Sequence, residues 1–350
     1  MNLNIWQILV LALLQGVTEL FPISSLGHTV ILPGLLGWGD LVRNQQFLPL
    51  IVALHLGTSI ALVVYFWRDW YQVGRTLAVS IKQGEIRTGT QEWVGWLIII
   101  GCIPAGLLGV SLETPLKELF ATPLVAAAFL VVNGSMLFLG EALRRRTRTP
   151  VVNAPTERQG KQGEQAVSHA WVGGVGLPAD KREDLGLPPH RWSPKPANVG
   201  SVGLPIVTTL ERSPNLPKRP TRSLASLSWK EALLVGLAQS FALIPGISRS
   251  GATIVAGLGV GLSHEDAARY SFLLGTPLIG AAAILEVPQL FGLPATTLLL
   301  VLIGMVVSGV AAFLSTKFLL KYFETGRLYP FAYYCWGAGL LSLVLFLTMR

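Results

Sequence analysis

Six stretches of this chain are apolar for about 20 residues, the length that a helix needs to cross a lipid bilayer. They lie at approximately 47–67, 93–112, 122–142, 268–290, 296–316 and 329–348. Hydrophobic residues make up 51% of the chain and charged residues only 13%, which is typical of a polytopic membrane protein. Because backbone polar groups inside a bilayer must pair within their own helix, the sequence predicts an all-α polytopic membrane protein with six full transmembrane helices.

Four further apolar runs are too short to cross a bilayer. They lie at approximately 3–14, 26–38, 231–244 and 251–262, and they form two pairs. A helix of this length rises only about 15–21 Å, roughly half of a membrane. Each pair encloses a segment that contains Pro, Gly and Ser, so we predict two re-entrant helix hairpins, each of which enters and leaves on one side.

The two enclosed segments are copies of one motif, 224 positions apart. At this offset Gln15 matches Gln239, Ile23 matches Ile247, Ser24 matches Ser248, Gly27 matches Gly251 and Thr29 matches Thr253. Three predicted spans, an odd number, separate the two hairpins, so the second hairpin enters from the opposite side. The sequence therefore predicts an inverted-topology repeat whose hairpin tips meet near the midplane, an arrangement known from secondary transporters.

The predicted domains are a first membrane repeat at 1–143, a linker at 144–228 and a second membrane repeat at 229–350. The linker contains 14 Lys and Arg against 6 Asp and Glu, and it holds 11 of the 22 prolines. Such a segment buries too little apolar surface to offset its ordering entropy, so we predict that it is disordered. The net charge of +8 resides in this linker, so it does not indicate a nucleic-acid-binding protein.

The positions of Lys and Arg predict the orientation. They concentrate in the predicted loop at 68–92, in the linker and in the loop at 317–328. Because cytoplasmic loops carry the excess of positive charge, these segments are expected inside the cell, and both termini and the first hairpin's entrance outside. The N-terminus has no basic n-region and no small-residue cleavage site, so we interpret the first apolar run as a retained element.

The second copy of the motif has the residues of an anion site. Ser248 is a natural N-cap, and re-entrant geometry would point the N-termini of both short helices, with their unpaired N–H groups, at the midplane. Arg249 adds a planar, permanently charged group suited to phosphate. Ser250 and Thr253 add hydroxyl donors, so this copy predicts a cradle for a phosphate or another oxyanion.

The first copy has residues suited to chemistry. Ser25 and His28 are three positions apart on one face of a helix, which places a nucleophile beside an acid–base group. Glu19 precedes the break at Pro22 and is expected to border the same cavity, where it orients His28, acts as a base or holds a divalent cation. Together the two copies indicate phosphoryl transfer, and a site at membrane depth indicates that the phosphate is attached to a lipid.

These segments resemble the two signature motifs of the undecaprenyl-diphosphate phosphatase family, the bacterial bacitracin-resistance membrane phosphatases. The matching residues are Gln15-x-x-x-Glu19, Pro22-x-Ser24-Ser25-x-Gly27-His28 and Pro245-Gly246-x-Ser248-Arg249-Ser250-x-x-Thr253. The resemblance covers both apolar halves. It implies a multi-pass enzyme of the bacterial inner membrane, with its site open to the outer side. The implied reaction converts undecaprenyl diphosphate to the monophosphate and recycles the lipid carrier for peptidoglycan synthesis.

The resemblance also implies roles for individual residues. Ser25 is the implied nucleophile, His28 the acid–base group and Arg249 the phosphate clamp. Glu19 is the implied acidic or metal-associated residue, because the family activity depends on Mg²⁺ or Ca²⁺. The implied substrate-binding residues are Gln15, Ser24, Gly27, Gly246, Ser248, Ser250 and Thr253. The implied partners are the polyprenyl diphosphate substrate and membrane lipids, with a homodimer left open.

This chain departs from the family pattern in two places. Gln15 stands where many members have Glu, which makes a metal role at this position less favoured. The long linker at 144–228 is an insertion, and the resemblance implies no purpose for it.

Other interpretations of the same residues stay open. The Ser25–His28 pair is also explained as packing between helices, and Arg249 as a structural counter-ion of Glu19. Gln15 and Gln239 are expected to tie the re-entrant backbones together rather than to touch substrate. His55 and Glu286 lie inside predicted spans, so each is a weak functional candidate for which a bonded interior role is favoured.

Two rival functions also stay open. A transporter of an anionic lipid or solute would use the same architecture without hydrolysis, and would need a path that opens in turn to both sides. An enzyme instead needs Ser25 and His28 within hydrogen-bond reach of one cavity. A membrane scaffold acting through its basic linker would lose its function if 150–222 were deleted.

Overall fold

The computed structural model describes residues 4–42, 47–112, 122–147 and 222–349, and within these ranges the regular structure is helical. The α-helices are α1 (Ile5–Thr18), α2 (Ser25–Leu35), α3 (Gly39–Val42), α4 (Phe47–Tyr65), α5 (Trp67–Gln83), α6 (Gln91–Ser111), α7 (Pro123–Thr147), α8 (Trp229–Ser240), α9 (Arg249–Gly259), α10 (His264–Glu286), α11 (Ala295–Phe323) and α12 (Tyr329–Thr348). Short 3₁₀ turns lie at Leu224–Ser226, Phe241–Leu243 and Val287–Gly292. The predicted all-α fold is thus confirmed for the described residues, which contain no β-strand.

Five of the described helices are long and apolar enough to cross a membrane, and a sixth span results if the bent pair α4 and α5 is counted as one. The five are α6, α7, α10, α11 and α12. They coincide with predicted apolar runs, although α11 extends to Phe323 rather than ending near 316. The chain is therefore a multi-pass membrane protein, as its composition predicted.

The segment at 68–92 is not the loop that its charges predicted. Most of it forms α5, which turns by 79° from α4. Val73 and Ser80 are buried, whereas Arg68 and Arg75 on other faces of the helix are exposed. This one-sided distribution is typical of helices that lie at a membrane interface. The prediction of a loop was wrong because it used only the number of Lys and Arg residues. An amphipathic helix at the membrane surface and a cytoplasmic loop can contain the same number.

Each half of the protein begins with a broken pair of short helices and continues with three long ones. In the first half α1 and α2 precede α4, α6 and α7, and in the second half α8 and α9 precede α10, α11 and α12. The short helices contain 14, 11, 12 and 11 residues in chain order. At 1.5 Å per residue each rises only about 16–21 Å.

The two halves pack against each other reciprocally. α1 lies along α11 of the second half, and α8 lies along α6 of the first half. In addition α4 packs on α10, and α7 packs on α12. Glycines permit the two reciprocal contacts, because a Cβ atom on Gly16 would lie 2.3 Å from Ser308 O and one on Gly236 would lie 2.3 Å from Gly101 O. Small residues of this kind let membrane helices approach closely.

Most of the predicted linker, 148–221, lies outside the described residues. At its start α7 continues to Thr147. At its end Arg222 forms a salt bridge of 2.5 Å with Glu231, which also closes a capping box with Ser228 at the start of α8. At the start of this helix the N–H groups of Ser228 and Glu231 are thus satisfied by side chains.

Candidate active site

The two broken segments touch each other at their tips. A Cβ atom added to Gly27, in the first turn of α2, would lie 3.0 Å from the Cα atom of Gly246. Gly246 has a φ of +98°, and a Cβ atom there would lie 2.3 Å from the carbonyl oxygen of Ala126. Because only glycine combines this backbone conformation with such close packing, the contact between the copies depends on these two glycines.

Glu19 is the residue at which side chains from both copies meet. Its Oε2 atom accepts hydrogen bonds from Ser25 Oγ at 2.5 Å and from Gln15 Nε2 at 2.9 Å. Its Oε1 atom accepts one from Arg249 Nη2 at 3.2 Å. The Glu19 side chain is only 6% exposed, so these partners are what allow a buried carboxylate to stay charged.

Ser25 and Arg249 are the first residues of α2 and α9. Each helix is capped by the preceding serine, Ser24 or Ser248, whose hydroxyl accepts from a backbone N–H at 3.2 Å in α2 and 3.1 Å in α9. Since both first-turn side chains bind one carboxylate, the positive ends of two helices converge on it. Such a convergence suits an anionic ligand.

The guanidinium group of Arg249 is held on two sides. Its Nη1 atom donates to the carbonyl oxygen of Ser271 at 3.2 Å while Nη2 donates to Glu19. The group lies against Gly275, where an added Cβ atom would be 1.6 Å from Nη1. Its buried Nε atom has no hydrogen-bond partner in the described part of the chain. Arg249 is thus the counter-ion of Glu19, as one interpretation expected, and it retains a donor for a ligand.

His28 lies on the same helix as Ser25 but binds other groups. Its Nδ1 atom is 2.7 Å from the carbonyl oxygen of Ser24, and its Nε2 atom is 2.9 Å from the hydroxyl of Tyr334. The His28 and Tyr334 rings stack, with centroids 5.6 Å apart. Because a carbonyl oxygen only accepts, Nδ1 carries the proton and Nε2 is the basic nitrogen of the neutral ring. The structure therefore brings Ser25 onto Glu19, and not onto His28.

His55 joins the site from α4. Its Nε2 atom is 3.6 Å from Glu19 Oε2, and its Nδ1 atom is 2.8 Å from the carbonyl oxygen of Ile51. From the sequence His55 was only a weak functional candidate. An ionisable residue inside a predicted span indicates a function, but no partner for His55 could be named. Glu286, the other weak candidate, contacts Gln289 outside this cluster.

The hydroxyls of the second copy hold the two breaks together. Ser250 Oγ donates to the carbonyl oxygen of Phe21 at 3.1 Å, and Ser248 Oγ lies 3.1 Å from Ser250 Oγ. Asn133 of α7 bridges both copies, since its Oδ1 atom accepts from Ser248 N at 2.9 Å and its Nδ2 atom donates to Pro22 O at 2.9 Å. Asn133 was missed, although a buried amide in an apolar span was the available signal.

Thr253 supports the second copy from within α9. Its hydroxyl donates to the carbonyl oxygen of Arg249 at 2.8 Å and lies 2.6 Å from Ser271 Oγ. Thr253 and Ser271 therefore sit behind Arg249, and Ser271 is a further residue that the sequence did not single out.

The matched glutamines differ in their surroundings. Gln15 donates to Glu19, whereas both amide atoms of the buried Gln239 lack a hydrogen-bond partner in the described residues. At the position that corresponds to Glu19 the second copy has Leu243, so Gln239 has no carboxylate to bind there.

Cation binding is restricted to few protein groups. The described residues contain no group of three or more His, Cys, Asp and Glu side chains that could hold a metal ion. Glu19 lies beside Gln15, whose buried Oε1 atom has no partner in the described residues. One carboxylate and one amide oxygen fit a Mg²⁺ or Ca²⁺ ion that obtains further oxygens from phosphate, and do not fit a site made of protein alone.

Comparisons with known proteins agree with this chemistry. The family described as bacitracin resistance protein BacA matches residues 8–175 and 198–341. Undecaprenyl-diphosphatase 2 of Frankia alni is 41% identical over 349 residues, which cover 96% of each chain. Undecaprenyl-diphosphatase of Mycolicibacterium paratuberculosis is 41% identical over 352 residues, covering 98% of this chain and 97% of the relative. That of Acidiphilium cryptum is 37% identical over 344 residues, covering 95% of each.

Proposed function

Because this chain belongs to the bacitracin resistance protein BacA family, we propose that it removes the terminal phosphate of undecaprenyl diphosphate. The product is the monophosphate, the lipid carrier for peptidoglycan and other envelope glycans, and its recycling confers resistance to bacitracin. One observation carries the assignment of the site. Ser25 and Glu19 of the first copy and Arg249 of the second form a single hydrogen-bonded group.

In the proposed mechanism Ser25 attacks the terminal phosphorus and passes its proton to Glu19, to which it already donates at 2.5 Å. The new bond joins Ser25 Oγ to phosphorus, and the bond from phosphorus to the bridging oxygen breaks. The bridging oxygen leaves with the electron pair as part of the lipid monophosphate. A water molecule then attacks the phosphorus of the phosphoserine, and the bond from phosphorus to Ser25 Oγ breaks. Glu19 returns its proton to Oγ, and inorganic phosphate is released. Arg249 and the N-termini of α2 and α9 stabilise the negative charge of the transferred group.

His28 keeps its proposed acid–base role through its Nε2 atom. The bond from Nδ1 to Ser24 O fixes the proton on Nδ1, so Nε2 remains able to accept a proton. This atom reaches the reaction by exchanging Tyr334 for water or a phosphate oxygen. His28 then activates the water of the second step, and Tyr334 returns when phosphate leaves.

A divalent cation is part of the proposal. Glu19 and Gln15 Oε1 would hold Mg²⁺ or Ca²⁺ together with oxygens of the diphosphate, and the cation would neutralise phosphate charge. Ser24, Gly27 and Gly246 shape the turn beside the phosphate.

We also propose the membrane arrangement that the sequence predicts, namely two re-entrant hairpins in an inverted repeat. The short length of α1, α2, α8 and α9 supports the hairpins, because each covers only about half of a bilayer. The short helix α1 packs on α11 of the other half, and α8 packs on α6 of the other half. These reciprocal contacts support a two-fold relation between the halves. The excess of Lys and Arg around 68–92 and 317–328 supports a site that opens to the outer face of the plasma membrane.

The test is phosphate release from undecaprenyl diphosphate by the purified full-length protein, with and without a chelator. We expect release with added Mg²⁺ or Ca²⁺ and its loss with chelator. Movement of the lipid across vesicles without phosphate release would instead favour a transporter.

A second measurement separates the two chemical routes. Substrate labelled in its terminal phosphate is mixed with enzyme and quenched in denaturant. Label retained on Ser25 supports attack by the hydroxyl, whereas its absence during turnover means that Ser25 orients a water molecule.

A further inference from the structure

The helix α5 leaves the long apolar helix α4 at a sharp bend. The 19 residues of α4 rise about 28 Å, which is close to the thickness of the hydrocarbon core of a bilayer. Because α5 turns by 79° from this direction, it lies nearly at right angles to α4 at one end of it. When α4 crosses the bilayer, α5 therefore runs along the membrane surface.

The inner face of α5 is fixed to two other helices. Val73 and Ser80 are buried on this face, and the Ser80 hydroxyl accepts a hydrogen bond from Trp96 Nε1 of α6 at 3.2 Å. Asp69 forms a salt bridge with Arg269 of α10. These contacts set the rotation of α5 about its own axis, and so they also determine which residues it turns outward.

The outer face of α5 carries three basic residues in a line, Arg68, Arg75 and Lys82, which we call the basic stripe. Each is seven positions from the next, which is nearly two helical turns, so the three lie on one face and about 10 Å apart. All three are exposed. Within the described part of the chain none of them takes part in an ion pair. The positive charges of the basic stripe are therefore available to a partner outside the protein.

The surroundings of the basic stripe are apolar and contain no free acid from α5. The one acidic residue of α5 is Asp69, and its carboxylate is paired with α10. Beside the stripe, Trp67, Tyr71 and Ile81 are 58%, 65% and 69% exposed. Aromatic side chains are enriched at the level of the lipid head groups, and the Arg68 guanidinium lies over the Trp67 ring at 5.3 Å from its centroid. A face that combines fixed positive charge with exposed apolar surface suits the boundary between head groups and acyl chains.

We propose that the basic stripe of α5 binds the head groups of anionic phospholipids. Its three unpaired cations lie on a fixed helix at the membrane surface, where acidic head groups supply the complementary charge. Each basic residue near an anionic surface strengthens binding about fivefold, so the stripe should favour an anionic over a zwitterionic phospholipid by about 100-fold. This inference does not rest on the proposed function, because it involves no residue of the candidate active site.

The experiment measures phospholipid binding by the purified full-length protein in a non-ionic detergent. Mass spectrometry of the intact protein counts bound phosphatidylglycerol, which is anionic, and phosphatidylcholine, which is zwitterionic, across a titration of each lipid. A matched control variant removes the same charge from exposed positions near the end of α11 and just after it. The stripe variant carries Arg68→Gln, Arg75→Gln and Lys82→Gln, and the control variant carries Lys317→Gln, Lys321→Gln and Arg327→Gln.

We expect wild type to bind phosphatidylglycerol with a Kd about 100-fold lower than its Kd for phosphatidylcholine. This preference should shrink in about 1 M salt, where exposed charges are screened. The stripe variant should lose the preference, whereas the Kd of the control variant for phosphatidylglycerol should stay within about threefold of wild type. Both variants should unfold at the wild-type temperature, because exposed substitutions rarely change stability.

Three results would overturn the proposal. The first is equal affinity of wild type for the two lipids, and the second is an equal loss by both triple variants, which would assign the preference to net charge. The third is displacement of phosphatidylglycerol by an equal concentration of inorganic phosphate, because the stripe would then hold a free anion. If the stripe variant unfolds at a lower temperature than the control, Arg75→Gln alone decides: a Kd for phosphatidylglycerol raised about fivefold supports the proposal, and an unchanged Kd rejects it.

Discussion

Ser25 and Arg249 occupy equivalent positions in two copies of one motif, and both bind the carboxylate of Glu19. Each of them also begins a helix that a serine caps. The side chains, however, are a neutral hydroxyl in one copy and a permanent positive charge in the other. The two copies of the motif thus place two helix N-termini at one carboxylate, and the difference at this position distinguishes the proposed nucleophile, Ser25, from the proposed phosphate clamp, Arg249.

The backbone just before these residues differs as well. Ser24 has a φ of +71°, in the left-handed region, whereas its counterpart Ser248 has a φ of −82°. In the second copy the left-handed residue is Gly246, for which this conformation carries no steric cost. A left-handed serine costs roughly 1–2 kcal/mol, and such strain collects at functional positions. The strained copy is the one that contains Ser25.

The largest effect is expected at the nucleophile. Ser25→Ala should lower kcat by about 10⁴-fold or more, because it removes the proposed nucleophile. Ser240→Ala is the control, since the Ser240 hydroxyl only donates to the Gly236 carbonyl within α8. Phosphate release from undecaprenyl diphosphate measures both. A Ser25→Ala variant within tenfold of wild type would end the proposed division of roles between the copies.

The next effect is expected at the clamp. Arg249→Lys keeps the charge but loses the planar group that reaches both Glu19 and Ser271, so kcat should fall about 100-fold. Arg269→Lys on α10 is the control, because Arg269 pairs with Asp69 and its side chain is 44% exposed. If both lysine variants lose activity equally, the loss does not depend on the contacts of Arg249 with Glu19 and Ser271, and the equivalence of Ser25 and Arg249 has no catalytic meaning.

A smaller effect is expected from the surface that supports the clamp. Gly275→Ala would place its Cβ atom 1.6 Å from Arg249 Nη1, so the guanidinium must move away from Glu19. We expect kcat to fall about tenfold, as small displacements of positioning groups commonly cause. Gly106→Ala is the control, because the nearest atom to its added Cβ is 4.0 Å away. Normal turnover by Gly275→Ala would show that the position of Arg249 is not critical.

The smallest effect is one of stability, and it compares the two caps directly. Alanine at Ser24 or Ser248 removes a cap and should cost about 1 kcal/mol at either place. Relative to alanine, glycine should raise the free energy of unfolding more at Ser24 than at Ser248, by roughly 1 kcal/mol. The reason is that only Ser24 has a left-handed backbone conformation. Thermal unfolding of the four variants in detergent measures this difference. Equal recovery at both serines would mean that Ser24 is not strained.

The sequence predicted the helices well where burial in lipid dictates them. Runs such as 329–348 must be helical because no other structure satisfies the backbone, and α12 covers the same residues. The prediction was wrong at 68–92, where charges on one face of α5 were interpreted as a loop. Lys and Arg counts carry no information about periodicity, so they did not reveal the helix.

The grouping of Glu19, Ser25 and Arg249 was predictable because the repeat offset relates the last two. The partners Tyr334 and Gly275 were not, because they come from α12 and α10 and depend on how long helices pack. No local pattern marks a tyrosine that will bind an imidazole 306 residues away. The same reason explains why Ser25 and His28, adjacent on one helix face, bind different groups.

The contact between Arg249 and Glu19 joins the two halves of the chain, since the two residues lie 230 positions apart, and the proposed site therefore needs both halves. Neither half contains the whole site, so two separately synthesised halves would be silent alone and active only after they associate. Turnover in such a split protein is therefore a direct report of assembly within the membrane.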